Sequence, residues 1–207
     1  MKMPDHYYTQ TPTSAHKPGQ VDFLWRGAKL VFETDSGVFS RTEIDKGTEI
    51  LLNALPEELT GSLLDMGCGY GVIGVTLGRR YPGLSVVMSD VNERAVELSR
   101  RNAQRNGVPA RVMQSDGYAD VPFQRMDWIV QNPPIRAGKS VIYAMFAEGA
   151  RRLEPSGELW LVIRKQQGAE SAVRYLKTLF GRVEAATKKG GFWVLRCTQP
   201  AERPDEE

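Results

Sequence analysis

The chain has 207 residues, of which 41% are hydrophobic and 25% are charged, and its net charge is +2. This length suits one domain with a modest extension, and so small a net charge does not by itself indicate a nucleic-acid-binding protein. No apolar run approaches the roughly 18 residues needed to cross a bilayer. The two cysteines, Cys68 and Cys197, are too few and too far apart for a disulfide framework or a metal cluster, and Cys68 is expected to be a packing residue. We therefore expect a cytoplasmic protein without a metal site.

Both ends of the chain are expected to lie outside the compact core. Residues 1–43 are predicted to form an N-terminal extension that begins with an irregular lead-in over residues 1–19. This lead-in lacks the apolar core of a signal peptide, and its histidines, His6 and His16, are not expected to be catalytic. Residues 198–207 end in an acidic, proline-containing stretch and are predicted to be a disordered tail.

The first regular elements are predicted to be a β-hairpin and a helix. Two β-rich runs at residues 21–25 and 29–33 are separated by Arg26-Gly27, which is typical of a hairpin turn. From residue 44 onward, apolar residues at helical spacing predict a helix that Pro56 ends. We expect this segment to pack as a lid or flank.

From residue 62 onward, short aliphatic runs alternate with helical stretches. The predicted strands lie at residues 63–66, 84–88, 110–113, 128–130 and 159–163. The predicted helices lie at about residues 72–80, 92–106, 140–153 and 168–180. This alternation is typical of a parallel sheet covered by helices. The final stretch, GRVEAATKKGGFWVLRC, has two β-like runs joined across Gly190-Gly191, which predicts an antiparallel hairpin at the end of the sheet.

A glycine-rich turn, within LLDMGCGYGVIG, follows the first strand of this region. Gly67, Gly69 and Gly71 allow a tight turn whose backbone N–H groups face a ligand. With Gly74 the pattern also reads GxGxxG, the dinucleotide fingerprint of nicotinamide enzymes, but that match alone is weak. Asp65 favours a different ligand, because its carboxylate would repel a pyrophosphate and attract the ammonium of an amino-acid group.

Carboxylates also follow the next two strands. Asp90 lies about twenty residues after the glycines, where a carboxylate can accept hydrogen bonds from both hydroxyls of a ribose. Asp116, in MQSDGY, can accept from an exocyclic adenine amine, although Asp116-Gly117 is also a common turn pair. Because doubly wound sheets bind ligands at the C-terminal ends of their strands, these groups predict a nucleoside-binding site.

With these motifs the chain resembles the class I S-adenosylmethionine-dependent methyltransferases, over roughly residues 44–197. The resemblance implies an α/β fold with a doubly wound, seven-stranded, mostly parallel sheet and an antiparallel C-terminal hairpin, preceded here by the small N-terminal β-hairpin and helix. It also implies that S-adenosylmethionine is the cofactor. The motif residues then expected to bind the cofactor are Asp65, Gly67, Gly69, Gly71, Asp90 and Asp116.

The segment QNPPIRAGK directly follows the fourth strand of this region. Its Asn-Pro-Pro resembles the motif of methyltransferases that modify amino or amide nitrogens. A conjugated exocyclic amine keeps its lone pair in the ring, so methylation requires the N–H bonds to be held while the nitrogen becomes tetrahedral. The side-chain oxygen of Asn132 and the backbone carbonyl of Pro133 can each accept one hydrogen, and the two prolines fix the turn. Asn132 and Pro133 are therefore the predicted catalytic residues.

One position departs from the resembled motif. Where those enzymes commonly have an aromatic residue that stacks on the target base, this chain has Ile135. Phe39, in GVFS, is the alternative candidate for stacking, and core packing would explain it equally well. The residues expected to contact the base are therefore Phe39, Pro134 and Ile135.

The stretch GVFSRTEIDKGTEILL, together with NPPIRAGK, is similar to the guanine-N2 methyltransferases of small-subunit ribosomal RNA, in particular to their short single-domain members. This resemblance implies that Asp45 and Thr48 lie near the cofactor, with Thr48 as a cofactor-binding residue, although a helix start would also explain both. It further implies that Arg136 and Lys139 lie at the mouth of the site and hold phosphates beside an extruded base.

Cations are concentrated in residues 136–189, which contain eleven Lys or Arg against five Glu, an excess of six. Either a solvated helix face or a polyanion-binding surface explains this excess. We predict an RNA N-methyltransferase that acts on ribosomal RNA or a ribosomal subunit, with guanine N2 as the leading target and no membrane partner. A protein glutamine-amide methyltransferase, a nicotinamide-dependent oxidoreductase and a noncatalytic RNA-binding domain are the alternatives. The sequence does not predict an oligomeric state.

Overall fold

The computed structural model describes residues 10–122 and 124–201, so His6 and residues 202–207 of the expected tail lie outside the described residues. The strands are β1 (Gly19–Trp25), β2 (Ala28–Thr34), β3 (Gly61–Met66), β4 (Leu84–Asp90), β5 (Ala110–Gln114), β6 (Met126–Gln131), β7 (Leu153–Arg164), β8 (Phe180–Lys189) and β9 (Phe192–Pro200). The helices are α1 (Lys46–Ala54), α2 (Val72–Arg80), α3 (Glu93–Arg105), α4 (Lys139–Arg151) and α5 (Ala169–Leu176). Single 3₁₀ turns span Ile135–Ala137 and Lys165–Gln167. None of the described helices is long and apolar enough to cross a membrane.

The main sheet has seven strands in the order β5-β4-β3-β6-β7-β9-β8. The strands from β3 to β7 pair in parallel, whereas β9 is antiparallel to both β7 and β8. This arrangement confirms the predicted doubly wound α/β sheet with an antiparallel C-terminal hairpin. The strand order reverses between β3 and β6, and ligands of open α/β sheets bind in the crevice at such a reversal.

Strand β3 is buried on both faces, which explains why two consecutive leucines, Leu63 and Leu64, lie at its centre. Leu63 packs into the apolar cluster that the sheet shares with α1, α2 and α3, whereas Leu64 packs into the cluster shared with α4 and α5. Neither side chain is exposed at all, and burial of each contributes about 1.5–3 kcal/mol to folding. Leu63 and Leu64 thereby fix the strand whose C-terminal end carries the glycine-rich turn.

The N-terminal hairpin is joined to helix α3 by two asparagines one helical turn apart. Asn106 accepts a hydrogen bond from the backbone N–H of Val31 and donates one to its carbonyl, at 3.1 and 2.9 Å. Asn102 makes the same pair with Glu33, at 2.7 and 2.9 Å, and also donates to the backbone carbonyl of Tyr70 at 2.8 Å. The two amides therefore pair with the backbone of β2 as a neighbouring strand would, and they hold the hairpin against α3.

Several boundaries differ from the predicted ones. Strand β9 continues through Pro200, so residues 198–200 belong to the sheet and not to a disordered tail. Helix α5 ends at Leu176 and not near residue 180, because Phe180 pairs with Pro200 in the sheet. Helix α1 begins at Lys46, two residues after the predicted start, because the preceding aspartate caps it. The hairpin turn at Arg26-Gly27 is as predicted.

Candidate active site

A cavity of about 480 Å³ lies at the C-terminal ends of β3, β4, β5 and β6, which is the strand-order reversal described above. Its size is typical of small-molecule sites, which measure about 300–1,000 Å³. The glycine-rich turn, the loop before α1, the end of β4 and the segment after β6 all contribute to its wall. Of the predicted site residues, it is lined by Phe39, Thr48, Gly67, Gly69, Asp90, Asp116, Asn132 and Pro134.

The glycine-rich turn presents its backbone to this cavity. Gly67 and Gly69 have φ values of 71° and 56°, a left-handed conformation that glycine adopts without strain. A Cβ atom at either position would meet nothing within 4 Å, so the glycines are required by the backbone conformation and not by lack of space. The N–H groups of Gly67 and Cys68 both donate to the Ser89 carbonyl, at 2.8 and 2.9 Å, which fixes the turn to β4.

Cys68 has the packing role that its sequence context predicts. Its thiol is buried, and its Sγ lies 3.4 Å from Oγ of Ser99 on α3. Burial raises the pKa of the thiol well above its usual range, and the nearby carboxylates of Asp90 and Asp65 raise it further. A thiol held in this protonated form is a poor nucleophile.

Asp65 lies beneath the glycine-rich turn and does not line the cavity. One carboxylate oxygen accepts the backbone N–H of Gly74 at 2.8 Å, which holds the first turn of α2. The other oxygen, Oδ1, is buried and has no hydrogen-bond partner among the described residues. Burial raises the pKa of Asp65 to about 7, and the neighbouring charge of Asp90 raises it too. Among the described residues, Oδ1 of Asp65 therefore remains a buried acceptor without a donor, and it lies behind the glycine-rich turn that lines the cavity.

Asp90 lines the cavity in a fixed orientation. Its two oxygens accept the backbone N–H groups of Gly69 and Asn92, at 2.8 and 2.9 Å. Burial raises the pKa of Asp90 to about 6 despite these hydrogen bonds. Asp116, after β5, also lines the cavity, and its side chain is exposed. The two carboxylates predicted to contact a nucleoside therefore share one wall of the site.

Asn132 is held in one orientation by two residues of the α1 cap. Its side-chain nitrogen donates to Oδ2 of Asp45 and to Oγ1 of Thr48, each at 3.0 Å. Because a carboxylate can only accept, the amide nitrogen must face Asp45, and Oδ1 is left with no partner among the described residues. Asp45 also accepts the backbone N–H of Thr48 at 2.9 Å, as the N-cap of α1. The sequence identified this cap but not its contact with Asn132.

The residues after Asn132 differ in where they point. Pro133 is buried, and Pro134 lines the cavity. Ile135, expected to contact the base, does not line the cavity, because it begins a 3₁₀ turn and packs on the apolar cluster beneath α4. Arg136 and Lys139 are exposed on either side of the cavity-lining Ala137 and do not line the cavity themselves. Both cations therefore lie beside the opening.

The opening of the cavity carries two exposed apolar side chains. Phe39 is 40% exposed and Val141 is 44% exposed, and both line the cavity. The loop that holds Phe39 is joined to the glycine-rich turn by a 3.1 Å hydrogen bond from the Tyr70 hydroxyl to the Ser40 carbonyl. Val141, in the first turn of α4, was not predicted as a site residue, because nothing in its local sequence distinguishes it from a core position.

A profile described as "Methyltransferase small domain" matches residues 29–196 of the chain. "Uncharacterized protein YbxB" of Bacillus subtilis (strain 168) is 43% identical over 198 residues, which cover 94% of this chain and 98% of that protein. "Ribosomal RNA small subunit methyltransferase C" of Hahella chejuensis is 42% identical over 170 residues, which cover 76% of this chain and 49% of that protein.

A solved structure described as T. Thermophilus 16S rRNA N2 G1207 methyltransferase (RsmC), in complex with AdoMet and guanosine, superposes with a TM-score of 0.78. The two sequences are 28% identical, and the match covers 90% of this chain and 51% of that one. The chain therefore spans about half the length of each of these two ribosomal RNA methyltransferases.

Proposed function

Because the chain belongs to the methyltransferase small-domain family, we propose that it is an S-adenosylmethionine-dependent N-methyltransferase of an exocyclic amine in RNA, with guanine N2 in small-subunit ribosomal RNA as the target. The observation that carries the proposal is the fixed amide of Asn132, whose Oδ1 remains available to accept a hydrogen bond. The relatives named as ribosomal RNA methyltransferases support the substrate class. The proposed substrate places the protein in the cytoplasm.

The residues of the cavity fit S-adenosylmethionine. Asp90 would accept hydrogen bonds from the ribose hydroxyls, and Asp116 would accept one from the adenine amine. The unpartnered Oδ1 of Asp65 adds negative charge beneath the turn, where an ammonium group would be attracted. The open backbone faces of Gly67 and Gly69 leave room for the ligand to approach. When bound, the cofactor supplies an electrophilic methyl group on a positively charged sulfur.

Asn132 and Pro133 would orient the target amine. Oδ1 of Asn132 and the backbone carbonyl of Pro133 each accept one N–H of the amine, which draws its lone pair out of conjugation and toward the methyl group. Asp45 and Thr48 keep the Asn132 amide from rotating, so the acceptor is already in place when the substrate arrives. The nitrogen loses its extra proton after the transfer, and no strongly basic side chain is needed for the methyl transfer itself.

Phe39 and Val141 would hold the extruded base between them and Pro134. All three side chains line the cavity, and the first two expose apolar surface at its opening. Aromatic stacking on a base is worth about 1–3 kcal/mol, which makes Phe39 the main contact. This arrangement accounts for the missing aromatic at Ile135, because the stacking side chain comes from the N-terminal extension instead.

A protein glutamine amide is the second candidate substrate, because the same two acceptors suit an amide nitrogen. The exposed cations Arg136 and Lys139 beside the opening favour RNA, since they can neutralise phosphates that flank the target base. A nicotinamide-dependent oxidoreductase is not supported, because the chain belongs to a methyltransferase family. The unpartnered acceptor on Asn132 also argues against a noncatalytic RNA-binding domain.

The deciding experiment supplies purified protein with S-adenosylmethionine labelled in its methyl group. The acceptors are unmodified small-subunit ribosomal RNA, assembled small subunits and the separated ribosomal proteins. We expect label in RNA, recovered as N2-methylguanosine after nuclease digestion, and on the order of 10²-fold less label or lower with the Asn132→Ala protein. Label confined to protein would replace the proposal with the glutamine-amide alternative, and label in another nucleoside would overturn the guanine assignment.

A further inference from the structure

We propose that the β8–β9 hairpin tip and the adjoining end of β7 form a docking surface for the phosphate backbone of the RNA substrate. The four cations of this surface, named here the hairpin-tip cluster, are Arg164, Lys165, Lys188 and Lys189. All four side chains are exposed. The inference rests on the proposed function for the identity of the polyanion, and it adds a second contact region outside the cavity.

The hairpin-tip cluster lies at the same edge of the sheet as the cavity. Strand β7 is parallel to β6, and Leu161 pairs with Gln131, the residue before Asn132. Arg164 is three residues farther along β7, which corresponds to about 10 Å at 3.3 Å per residue. The backbone N–H of Lys165 donates to the Gly191 carbonyl at 2.8 Å, so the tip is fastened to the end of β7.

Helix α1 connects the cluster rigidly to the catalytic asparagine. A Cβ atom on Gly47 would lie 2.9 Å from the ring of Phe192, so the helix packs directly on the base of the hairpin. Asp45, two residues before Gly47, and Thr48, directly after it, are the residues that hold Asn132. RNA bound at the tip would therefore be held at a fixed distance from the reacting amine.

Ion pairing distinguishes the two ends of the hairpin. Away from the site edge, Arg182 pairs with Glu184 at 2.7 Å, and Arg196 pairs with Glu184 at 3.3 Å and with Glu158. Within residues 10–122 and 124–201, no carboxylate lies within 4.0 Å of any cation of the hairpin-tip cluster. The glutamates thus neutralise the far end of the hairpin and leave the positive charge at the site edge available.

Ring contacts hold two of these cations in place without neutralising them. The guanidinium of Arg164 lies 4.5 Å from the ring centroid of Phe192, and the ammonium of Lys188 lies 3.9 Å from that of Trp193. In the strand register, Arg164 lies opposite Phe192 and Lys188 lies opposite Trp193, and residues that lie opposite each other share a face of the sheet. Because Phe192 and Trp193 are consecutive in β9 and point to opposite faces, the two cations are also on opposite faces. The positive charge therefore surrounds the tip.

The chemistry of the tip fits phosphate better than a protein surface. Gly190 and Gly191 form the turn, with φ values of 56° and 79°, and a Cβ atom on Gly191 would meet nothing within 4 Å. The large apolar side chains exposed in the described part of the chain are Leu24, Phe39 and Val141, and none belongs to the hairpin. A protein interface would require large apolar side chains at its centre, whereas exposed cations around a small turn suit the phosphates of a nucleic-acid backbone.

The test compares two double variants with the same change in net charge. In the first, Lys188→Gln and Lys189→Gln remove two cations of the tip. In the matched control, Arg174→Gln and Lys177→Gln remove two exposed cations near the end of α5. These residues precede the start of β8, which is the end of that strand away from the hairpin tip. A third protein, Lys188→Arg with Lys189→Arg, retains the charge. The substrates are unmodified small-subunit ribosomal RNA, both naked and in assembled small subunits. The measurements are kcat, KM for the substrate and the salt dependence of RNA binding.

For the tip variant we expect KM for RNA to rise on the order of 10-fold with kcat little changed. The slope of log affinity against log salt should become shallower by about 1.4–1.8, since each phosphate contact with a cation contributes about 0.7–0.9. The control and the arginine protein should match the unmodified protein. Equal effects in the tip variant and the control would overturn the inference while leaving the methyltransferase proposal intact.

Two other outcomes would also overturn the inference. A rise in KM seen only with assembled small subunits, and not with naked RNA, would show that the tip contacts a ribosomal protein. If the unmodified protein transfers no methyl group to any RNA but still binds S-adenosylmethionine, the proposed RNA substrate fails, and the docking surface fails with it.

Discussion

The side-chain nitrogen of Asn132 lies 3.0 Å from Oδ2 of Asp45, although the two residues are 87 positions apart in the sequence. This contact determines which way the amide points, because a carboxylate oxygen pairs with the nitrogen and not with the carbonyl oxygen. Thr48 takes the second hydrogen of the same nitrogen. The N-cap of α1 thus serves as the support of a proposed catalytic group.

One substitution at Asp45 can separate its contact with Asn132 from its role as the N-cap of α1. Serine is a good N-cap residue, so Asp45→Ser should keep α1 stable, whereas Asp45→Ala should lose about 1 kcal/mol. Because the shorter serine side chain does not reach Asn132, we expect kcat to fall on the order of 10-fold with the affinity for S-adenosylmethionine unchanged. Thermal melts and single-turnover methylation measure the two effects. Full activity in a stable Asp45→Ser protein would refute the positioning role.

Asn132 itself should matter for transfer and little for cofactor binding. Asn132→Ala removes the acceptor for the target amine, so methyl transfer should fall by on the order of 10²-fold or more. Asn132→Asp should be equally inactive, since its carboxylate would repel that of Asp45. Calorimetry should show cofactor affinity within a few fold of the original for Asn132→Ala. Unchanged turnover in that protein would remove Asn132 from the mechanism.

Replacement of Asp90 should weaken the binding of the cofactor, in contrast to replacement of Asn132, which should slow methyl transfer. Asp90→Ala removes the charged acceptor that we propose for the ribose hydroxyls, and it also leaves the N–H groups of Gly69 and Asn92 without their acceptor. Hydrogen bonds to charged groups are worth about 1.5–3 kcal/mol, so Kd should rise about 10- to 150-fold. Asp90→Asn keeps one acceptor for the backbone and should have a smaller effect. Equal affinities in all three proteins would contradict the ribose assignment.

The proposed stacking of Phe39 on the target base has a matched control. Phe39→Ala should lower kcat/KM for RNA about 5- to 150-fold, corresponding to the loss of about 1–3 kcal/mol of stacking. In the described part of the N-terminal extension, Leu24 is also a large apolar residue with an exposed side chain, and it does not line the cavity. Leu24→Ala should therefore leave the kinetics unchanged. Equal activity of both variants would show that another side chain holds the base.

The buried carboxyl groups predict an unusual dependence of stability on pH. Burial raises the pKa of Asp65 from 3.8 to about 7 and that of Asp90 from 3.8 to about 6. Between pH 4 and 7 the folded protein therefore binds more protons than the unfolded chain, so these groups make unfolding easier as the pH rises. Asp65→Asn should flatten the decline in melting temperature between pH 5 and 7.5. An identical decline in both proteins would exclude Asp65 as its source.

Cofactor affinity should change with pH in the opposite sense. A ligand that carries an ammonium and a sulfonium favours ionised Asp65 and Asp90, so affinity should increase between pH 5.5 and 8 and protons should be released on binding. Calorimetry in buffers with different ionisation enthalpies counts those protons. Binding without proton release at pH 6.5 would contradict the expected coupling.

Local sequence patterns were sufficient for the parts of the fold that local chemistry determines. The alternation of strands and helices, the Gly190-Gly191 turn and the acids at strand ends all follow from short-range spacing, and the sheet has them where predicted. The support of Asn132 by Asp45 could not be predicted, because only tertiary structure brings the two residues together. Ile135 was expected to face the base, but a 3₁₀ turn directs it into the apolar cluster.

The three hydrogen bonds of Asn102 make the N-terminal hairpin and the glycine-rich turn one cooperative unit. This amide holds both backbone groups of Glu33 in the hairpin and the carbonyl of Tyr70, a residue that lines the cavity. Opening of the hairpin would therefore leave buried polar groups of the turn unpaired, so the two segments should open together. It follows that S-adenosylmethionine should slow amide hydrogen exchange at Val31 and Glu33, two backbone positions in the hairpin, although neither lines the cavity.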